Sequence, residues 1–216
     1  MKKTLLTLTV SLLCASSWAQ ISGSYGGDYF EVVSDPNVPW LTAEQLALNT
    51  YYTPSGGSPL EGHLVTILNA GEDAFVGTVV QNAGLGEVWA GGYQNPVTET
   101  IPTAGWTWVN NEGTFPGFNG ATSGYDNLYA NWNGGEPNDA YGSASEQYLG
   151  LNYGAPGGFN DEGDLNYIDG YVVEFDPATV PGGGLAPGYV PDAGSTAALL
   201  VGALAAMQVW RRKLSA

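Results

Sequence analysis

The chain has 216 residues, room for one domain plus processing segments, and a net charge of −16 at pH 7. Its five Lys and Arg sit at the extremes (Lys2, Lys3, Arg211, Arg212, Lys213), all 21 Asp and Glu lie between them, and His63 is the only potential cation of the body. Such a body repels phosphate backbones and anionic headgroups, which argues against nucleic-acid binding, and its clustered carboxylates must be solvated, hydrogen-bonded or paired with metal ions.

The start, MKKTLLTLTVSLLCASSWAQ, has two lysines, an apolar stretch over 5–14 and small residues before an expected cut after Ala19. This is the pattern of a secretory signal over 1–19. The only cysteine, Cys14, leaves with it; a lipoprotein reading of Cys14 is weaker because the bulky Leu13 precedes it. The mature body then has no thiol, which excludes disulfides, cysteine catalysis and thiolate-bound zinc.

Two helices are expected in the body. Thr42 with Gln45 makes a capping box, with Leu41 stapled onto Leu46 and the helix running to about Tyr52. Asn69 with Glu72 makes a looser cap, followed by the stripe Phe75, Val76, Val79, Val80 and an end near Gly84. Short strands are expected at HLVTIL (63–68), EVWAGGY (87–93), QYLGL (147–151) and YVVEF (171–175). Loops dominate between 105 and 169, and a long loop region inside a compact domain is commonly functional. Trp89, Trp106 and Trp108 are expected as core and loop anchors.

PATVPGGGLAPGY (177–189) reads as a linker. In the tail over 190–216, residues 193–210 form an 18-residue, mostly apolar run. As a helix it would be about 27 Å long, enough for a thin hydrocarbon core. The cations after it would stay cytoplasmic. A buried C-terminal helix would leave their position unexplained. With Val190-Pro191-Asp192-Ala193-Gly194 ahead of it, the tail resembles bacterial C-terminal sorting signals of the VPDSG and PEP type, departing at Ala193. That resemblance implies a membrane-embedded exosortase partner and a tail that is cleaved or serves as an anchor.

The body over 20–176 also carries GHLVTILNAGEDAFV (62–76), WAGGY (89–93), GWTWVNNEGTF (105–115), NWNGGEPND (131–139), FND (159–161) and YVVE (171–174). In this order they resemble a C-type lectin-like domain. The resemblance implies an α+β fold with two helices, two small antiparallel sheets and a long calcium-binding loop region. The family's usual cysteines are absent: Tyr148, Asp164 and Val173 stand in those segments, and Phe159 replaces the usual Trp before Asn-Asp. Packing, calcium or a Tyr148–Asp164 hydrogen bond is expected to compensate.

Carried across residue by residue, the resemblance implies a calcium site of Glu136, Asn138, Glu146, Asn160 and Asp161, with a cis bond before Pro137. A plain turn is the other reading of Gly-Glu-Pro-Asn-Asp. The donor types agree independently, since calcium favours a mixture of carboxylate and neutral oxygens. Glu136, Asn138, Glu146 and Asn160 would also bind the saccharide, and the Glu-Pro-Asn order resembles that of mannose-type lectins. Asp139 is a candidate for a second calcium site, put in doubt by Gln147; Glu162 and Asp164 are expected to be solvated or structural, and His63 structural.

These expectations describe a secreted, surface-directed, calcium-dependent carbohydrate-binding protein acting in adhesion or an exopolysaccharide matrix. The alternative is a structural or protein-binding envelope component that uses calcium only for folding. An enzyme using Glu136 and Glu146 is disfavoured, because metal-bound carboxylates are held ionised.

Overall fold

A computed structural model describes residues 17–18, 20–164 and 167–177. The signal, linker and tail expected at 1–19 and 177–216 lie outside them, apart from residues 17, 18 and 177. In chain order the elements are β1 (Ser17–Trp18), β2 (Gly23–Tyr25), β3 (Asp28–Ser34), α1 (Trp40–Leu48), β4 (Thr50–Tyr52), β5 (Leu60–Glu61) and β6 (His63–Leu64). They continue with α2 (Ala70–Asn82), β7 (Val88–Gln94), β8 (Trp106–Trp108), a 3₁₀ turn (Val109–Asn111), β9 (Tyr148–Leu151), β10 (Phe159–Glu162) and β11 (Gly170–Phe175).

Helix α1 starts two residues before the expected cap. Pro39 is its N-cap and makes no side-chain cap, and Trp40, Ala43 and Ala47 form the buried stripe. Leu41 and Leu46 are exposed, so the expected staple does not carry the helix. It also stops earlier than expected: the Asn49 amide donates to Gln45 O (2.7 Å) and Thr50 Oγ1 to Leu46 O (2.9 Å). Thr-Tyr-Tyr then becomes β4, as suits β-branched and aromatic residues.

Helix α2 follows its sequence signals closely. Asn69 Oδ1 accepts from the N–H groups of Gly71 and Glu72, both at 3.0 Å, and Glu72 Oε2 accepts from Leu68 N at 2.7 Å. Asn82 ends it, and Gly84 turns the chain with φ +75°.

The larger sheet has eight strands and consists of two antiparallel ladders. One pairs β2, β3, β11 and β6; the other pairs β10, β9, β7 and β8; they meet where Trp89 lies parallel to Tyr171. Pairing β3 with β11, from Gly170 opposite Ser34 to Phe175 opposite Tyr29, closes the first strands of the body onto its last. A smaller sheet joins β1, β4 and β5. The segment expected as a strand over 63–68 ladders only at His63–Leu64, because Val65 then bridges the two ladders: its N–H donates to Val172 O (2.9 Å) and its carbonyl accepts from Gly91 N (2.7 Å).

Trp89, Trp106 and Trp108 are buried, as their sequence context predicts. Phe115 stacks on Trp108 at 4.1 Å, and Trp132 meets Phe159 edge-on at 5.6 Å. The Tyr148 ring stacks on Trp40 at 4.8 Å and meets Trp89 edge-on. Asp164 Oδ1 is buried without a hydrogen-bond partner.

Candidate functional site

Two separated segments come together because the chain pairs 131–133 with Phe159. Phe159 N donates to Asn131 O (2.8 Å), Asn133 N donates to Phe159 O (3.0 Å), and Trp132 bridges Phe159 in parallel. The Trp132 indole is buried and donates to Pro116 O at 2.8 Å. The Asn131 amide and the Tyr129 hydroxyl both donate to Asp73 Oδ2, at 2.8 and 2.9 Å, which fastens this loop to α2. The Glu-Pro-Asn run is thereby carried to the side of Asn160 and Asp161.

The Glu136–Pro137 peptide is cis. Beyond it, Asn138 N donates to both oxygens of Asp161 at 2.9 Å and Asp139 N donates to Oδ2 at 2.8 Å. The Asn138 amide donates to Glu136 Oε2, and the Glu136 and Asp161 carboxyl groups hydrogen-bond to each other. Glu146 Oε2 accepts from Ala140 N at 2.5 Å, and its charge is felt by Glu136. Glu136, Asn138 and Asp161 are thus in direct contact, with Glu146 beside them.

Asn160 points differently. Its amide donates to Glu162 Oε1 at 2.6 Å and to Glu87 Oε1 at 3.2 Å. Glu87 and Glu162 complete the acidic wall, and both escaped the motif reading. Glu162 is buried, contrary to the solvated role open to it from sequence. Strand alternation offered one clue, since residues 160 and 162 share a face of β10. Glu87 had no local signal: it comes close only because Val88 and Trp89 on β7 lie opposite Leu151 and Gly150 on β9, whose other edge takes β10.

Carboxylates crowd here without a basic side chain, as the described residues include no Lys or Arg. Burial, then the charge and hydrogen bond of Asp161 and the charge of Glu146, push Glu136 up to about 7. Burial also raises Glu146 against the pull of the Ala140 N–H, and raises Asp161 against its backbone donors. Glu87 rises to about 7, by burial and the charges of Glu136, Glu146 and Asp169, against its Asn160 hydrogen bond. Glu162 rises to about 8, by burial and then by Glu87, Glu146, Asp161 and Glu136. Converging like charges on an all-oxygen donor set suit a hard divalent cation.

Asp139 is otherwise employed. Its oxygens accept from Ala144 N (3.1 Å), Ser145 N (3.1 Å) and Glu146 N (3.0 Å), bracing the loop that delivers Glu146. Away from the site, two sets have ligand atoms within 4.8 Å of one another: His63 with Glu112 and Asp176, and Asp28 with Glu72 and Glu174. His63 Nε2 lies 3.1 Å from Asp176 Oδ2 and Nδ1 lies 2.9 Å from Leu64 O. Burial opposes its charge, but the Asp176 hydrogen bond and the charges of Glu174 and Asp176 outweigh burial and lift it to about 10. It is a structural imidazolium inside an acidic cluster.

Comparison with solved structures shows a C-type lectin-like fold. CEL-I, a C-type lectin from Cucumaria echinata, aligns with a TM-score of 0.50 and 19% identity over 71% of this chain and 93% of its own. An EPNH mutant of CEL-I aligns at 0.51 and 18% over 77% and 99%. Human lithostathine aligns at 0.52 and 16% over 80% and 99%. A 154-residue stretch is 32% identical to halomucin of Haloquadratum walsbyi, covering 70% of this chain and 1% of halomucin. The chain therefore spans about a hundredth of that relative's length. Residues 189–214 match the VPDSG-CTERM motif, which points to a cell-surface or extracytoplasmic protein. These matches indicate no enzyme family. Among the described residues no helix is long and apolar enough to cross a membrane, and the apolar run at 193–210 lies outside them.

Proposed function

We propose that this chain is a calcium-dependent carbohydrate-binding protein sent to the cell surface, where it serves adhesion or holds an exopolysaccharide. The observation that carries the reading is the meeting of Glu136, Asn138 and Asp161, with Glu146 alongside, in a chain of C-type lectin-like fold. Glu136, Asn138, Glu146, Asn160 and Asp161 would hold the ion. Their oxygens fit calcium, whereas zinc would want the nitrogen or sulfur ligands that this site lacks.

Bound calcium would offer two open coordination positions to neighbouring hydroxyls of a mannose- or glucose-type sugar. The protein does the rest. Glu136 and Glu146 accept hydrogen bonds from those hydroxyls, and the exposed Asn138 amide donates one. Asp161, tied to Asn138 N and Asp139 N, orients the Glu-Pro-Asn run. The Asn160 N–H₂ is engaged by Glu87 and Glu162, which leaves its carbonyl oxygen for the ion. A site this shallow would bind one sugar with a Kd on the order of millimolar, about −4 kcal/mol, so adhesion would rely on clustering. The VPDSG-CTERM motif supports display at the surface after handling by an exosortase-type enzyme.

A glycan array read with calcium and then with chelator tests the proposal. Binding to mannose- or glucose-like glycans that chelator abolishes is expected, with loss of that pattern in Asn138→Asp. Calcium-dependent stability without saccharide binding in either protein would instead support an envelope component that uses the ion only for folding.

A further inference from the structure

The loop over 139–146 does more than deliver Glu146. Gly142 N donates to Asp139 O at 2.8 Å, so Ala140 and Tyr141 form the tip of a tight turn. Ala140 N is the group that holds Glu146 Oε2, at 2.5 Å, and Tyr141 is the next residue. The Tyr141 side chain, 80% exposed, therefore starts one residue from a carboxylate of the saccharide site. Two residues further on, Ser143 Oγ donates to Thr100 O at 3.2 Å and joins this turn to the loop over 95–105.

That second loop is pinned. Gln94 is buried, and its Nε2 lies within hydrogen-bond reach of three loop carbonyls, Ile101 O (3.0 Å), Pro102 O (3.1 Å) and Ala104 O (2.8 Å). Glu99 Oε1 turns back to accept from Thr100 N (2.8 Å) and Ile101 N (3.0 Å), so the loop's only charged residue is engaged by its own backbone. Ile101 is thus held at both its N–H and its carbonyl, yet the residue is 57% exposed, with Val97 49% exposed on the same loop. Exposed apolar residues scattered singly need no explanation. Here a turn tip and a fixed loop, tied together by Ser143, present Tyr141, Ile101 and Val97 with no charge among them, on a strongly acidic body.

We infer that these residues form a ledge for the sugar residue next to the calcium-bound one, so that the chain reads a neutral oligosaccharide of two or more residues. The inference rests on the saccharide reading proposed above and names the class of glycan that site takes. A neutral pyranose has an apolar face of C–H groups, which suits the Tyr141 ring and the Ile101 side chain. An anionic residue would meet the potential of the acidic wall instead. Because Gln94 and Glu99 fix the Ile101 backbone before any ligand arrives, little ordering is lost when the second sugar packs on it.

Titration calorimetry of the purified full chain in calcium tests it, with methyl mannoside against linear mannotriose and methyl glucoside against linear glucotriose as probes. Three equivalent sugar residues gain at most about threefold by statistics. Wild type is expected to bind one of the trisaccharides roughly tenfold more tightly than its methyl glycoside, about 1.4 kcal/mol. Tyr141→Ala and Ile101→Ser are expected to cut that gain to about threefold or less, with calcium and methyl glycoside affinities within about twofold of wild type. Both side chains are exposed, so neither change is expected to lower the melting temperature. A wild-type gain no larger than the statistical one, or a gain that survives both substitutions, overturns the inference. So does loss of a dimer in Ile101→Ser, read by sedimentation, while the trisaccharide gain persists, since the patch would then join two copies of the chain. Chelator-sensitive binding of a methyl glycoside without a trisaccharide gain removes only the ledge. No chelator-sensitive binding of any probe refutes the proposed function, and the ledge with it.

Discussion

Replacing Asp161 by Asn probes the centre of the site while preserving its shape. The carboxylate accepts two backbone N–H groups, those of Asn138 and Asp139, and one Asn oxygen can still reach both through the Oδ2 position. What goes is the charge assistance: each bond falls from about 1.5–3 to about 0.5–1.5 kcal/mol, a loss of roughly 2 kcal/mol for the pair. Relief of the repulsion that Asp161 exerts on Glu136 offsets part of it, so Asp161→Asn should destabilise the calcium-free protein by about 1 kcal/mol. The larger effect appears with the ion. At free calcium one hundredfold above Kd, occupancy of one site stabilises the fold by about 2.7 kcal/mol. At ~2–4 °C per kcal/mol for a domain of this size, wild type should gain roughly 5–10 °C from that site. Asp161→Asn should forfeit this gain. Differential scanning calorimetry with calcium and with chelator measures both numbers. An equal calcium-induced rise in the two proteins would mean that Asp161 is no ligand and that the reasoning about the site is wrong.

Three further outcomes are expected. Glu136, Glu87 and Glu162 have folded-state values of about 7, 7 and 8, above the ordinary 4.5, so the folded calcium-free chain holds more protons than the unfolded one between pH 4.5 and 8. Their stabilisation is complete below 4.5 and is lost as pH rises through 7 to 8, so the melting temperature under chelator should fall from pH 5 to pH 8, while calcium affinity rises as protons leave the ligands; a chelated protein that melts higher at pH 8 than at pH 5 contradicts this. His63→Gln removes the imidazolium paired with Asp176 and leaves buried acids unpaired, which should cost about 3 kcal/mol by urea unfolding at neutral pH, and a change within ~0.5 kcal/mol would show that the cluster needs no cation. Gly77→Ala puts a Cβ 2.6 Å from Gly157 N and 3.0 Å from the Pro156 carbonyl carbon, both backbone, so α2 must move off the 156–157 loop at a cost of about 1–3 kcal/mol; unchanged stability would mean that the loop yields freely.

What could be read along the chain was whatever depends on near neighbours. The α2 cap, the burial of the tryptophans and the short strands follow from side-chain chemistry within a few residues, and the absence of Lys and Arg from the body is visible at a glance. The order of motifs placed Glu136, Asn138, Glu146, Asn160 and Asp161 as one group, and the fold sets 136–138 against Asp161. Other features needed the third dimension. Helix α1 begins at Trp40 because the core claims its indole, whose N–H donates to Ala90 O at 2.8 Å, fifty residues away, and a local capping box cannot compete with that burial. The bracing role of Asp139 is one such feature, since its oxygens meet backbone N–H groups that exist as a set only once the loop closes. Glu87 joins Glu162 only through the pairing of β7, β9 and β10, where register sets which side chains share a face. The sequence by itself determined the kinds of group available and their local conformations. Only the tertiary structure decided which carboxylates, from segments more than seventy residues apart, would repel one another, because that repulsion depends on distance through space and on lost water.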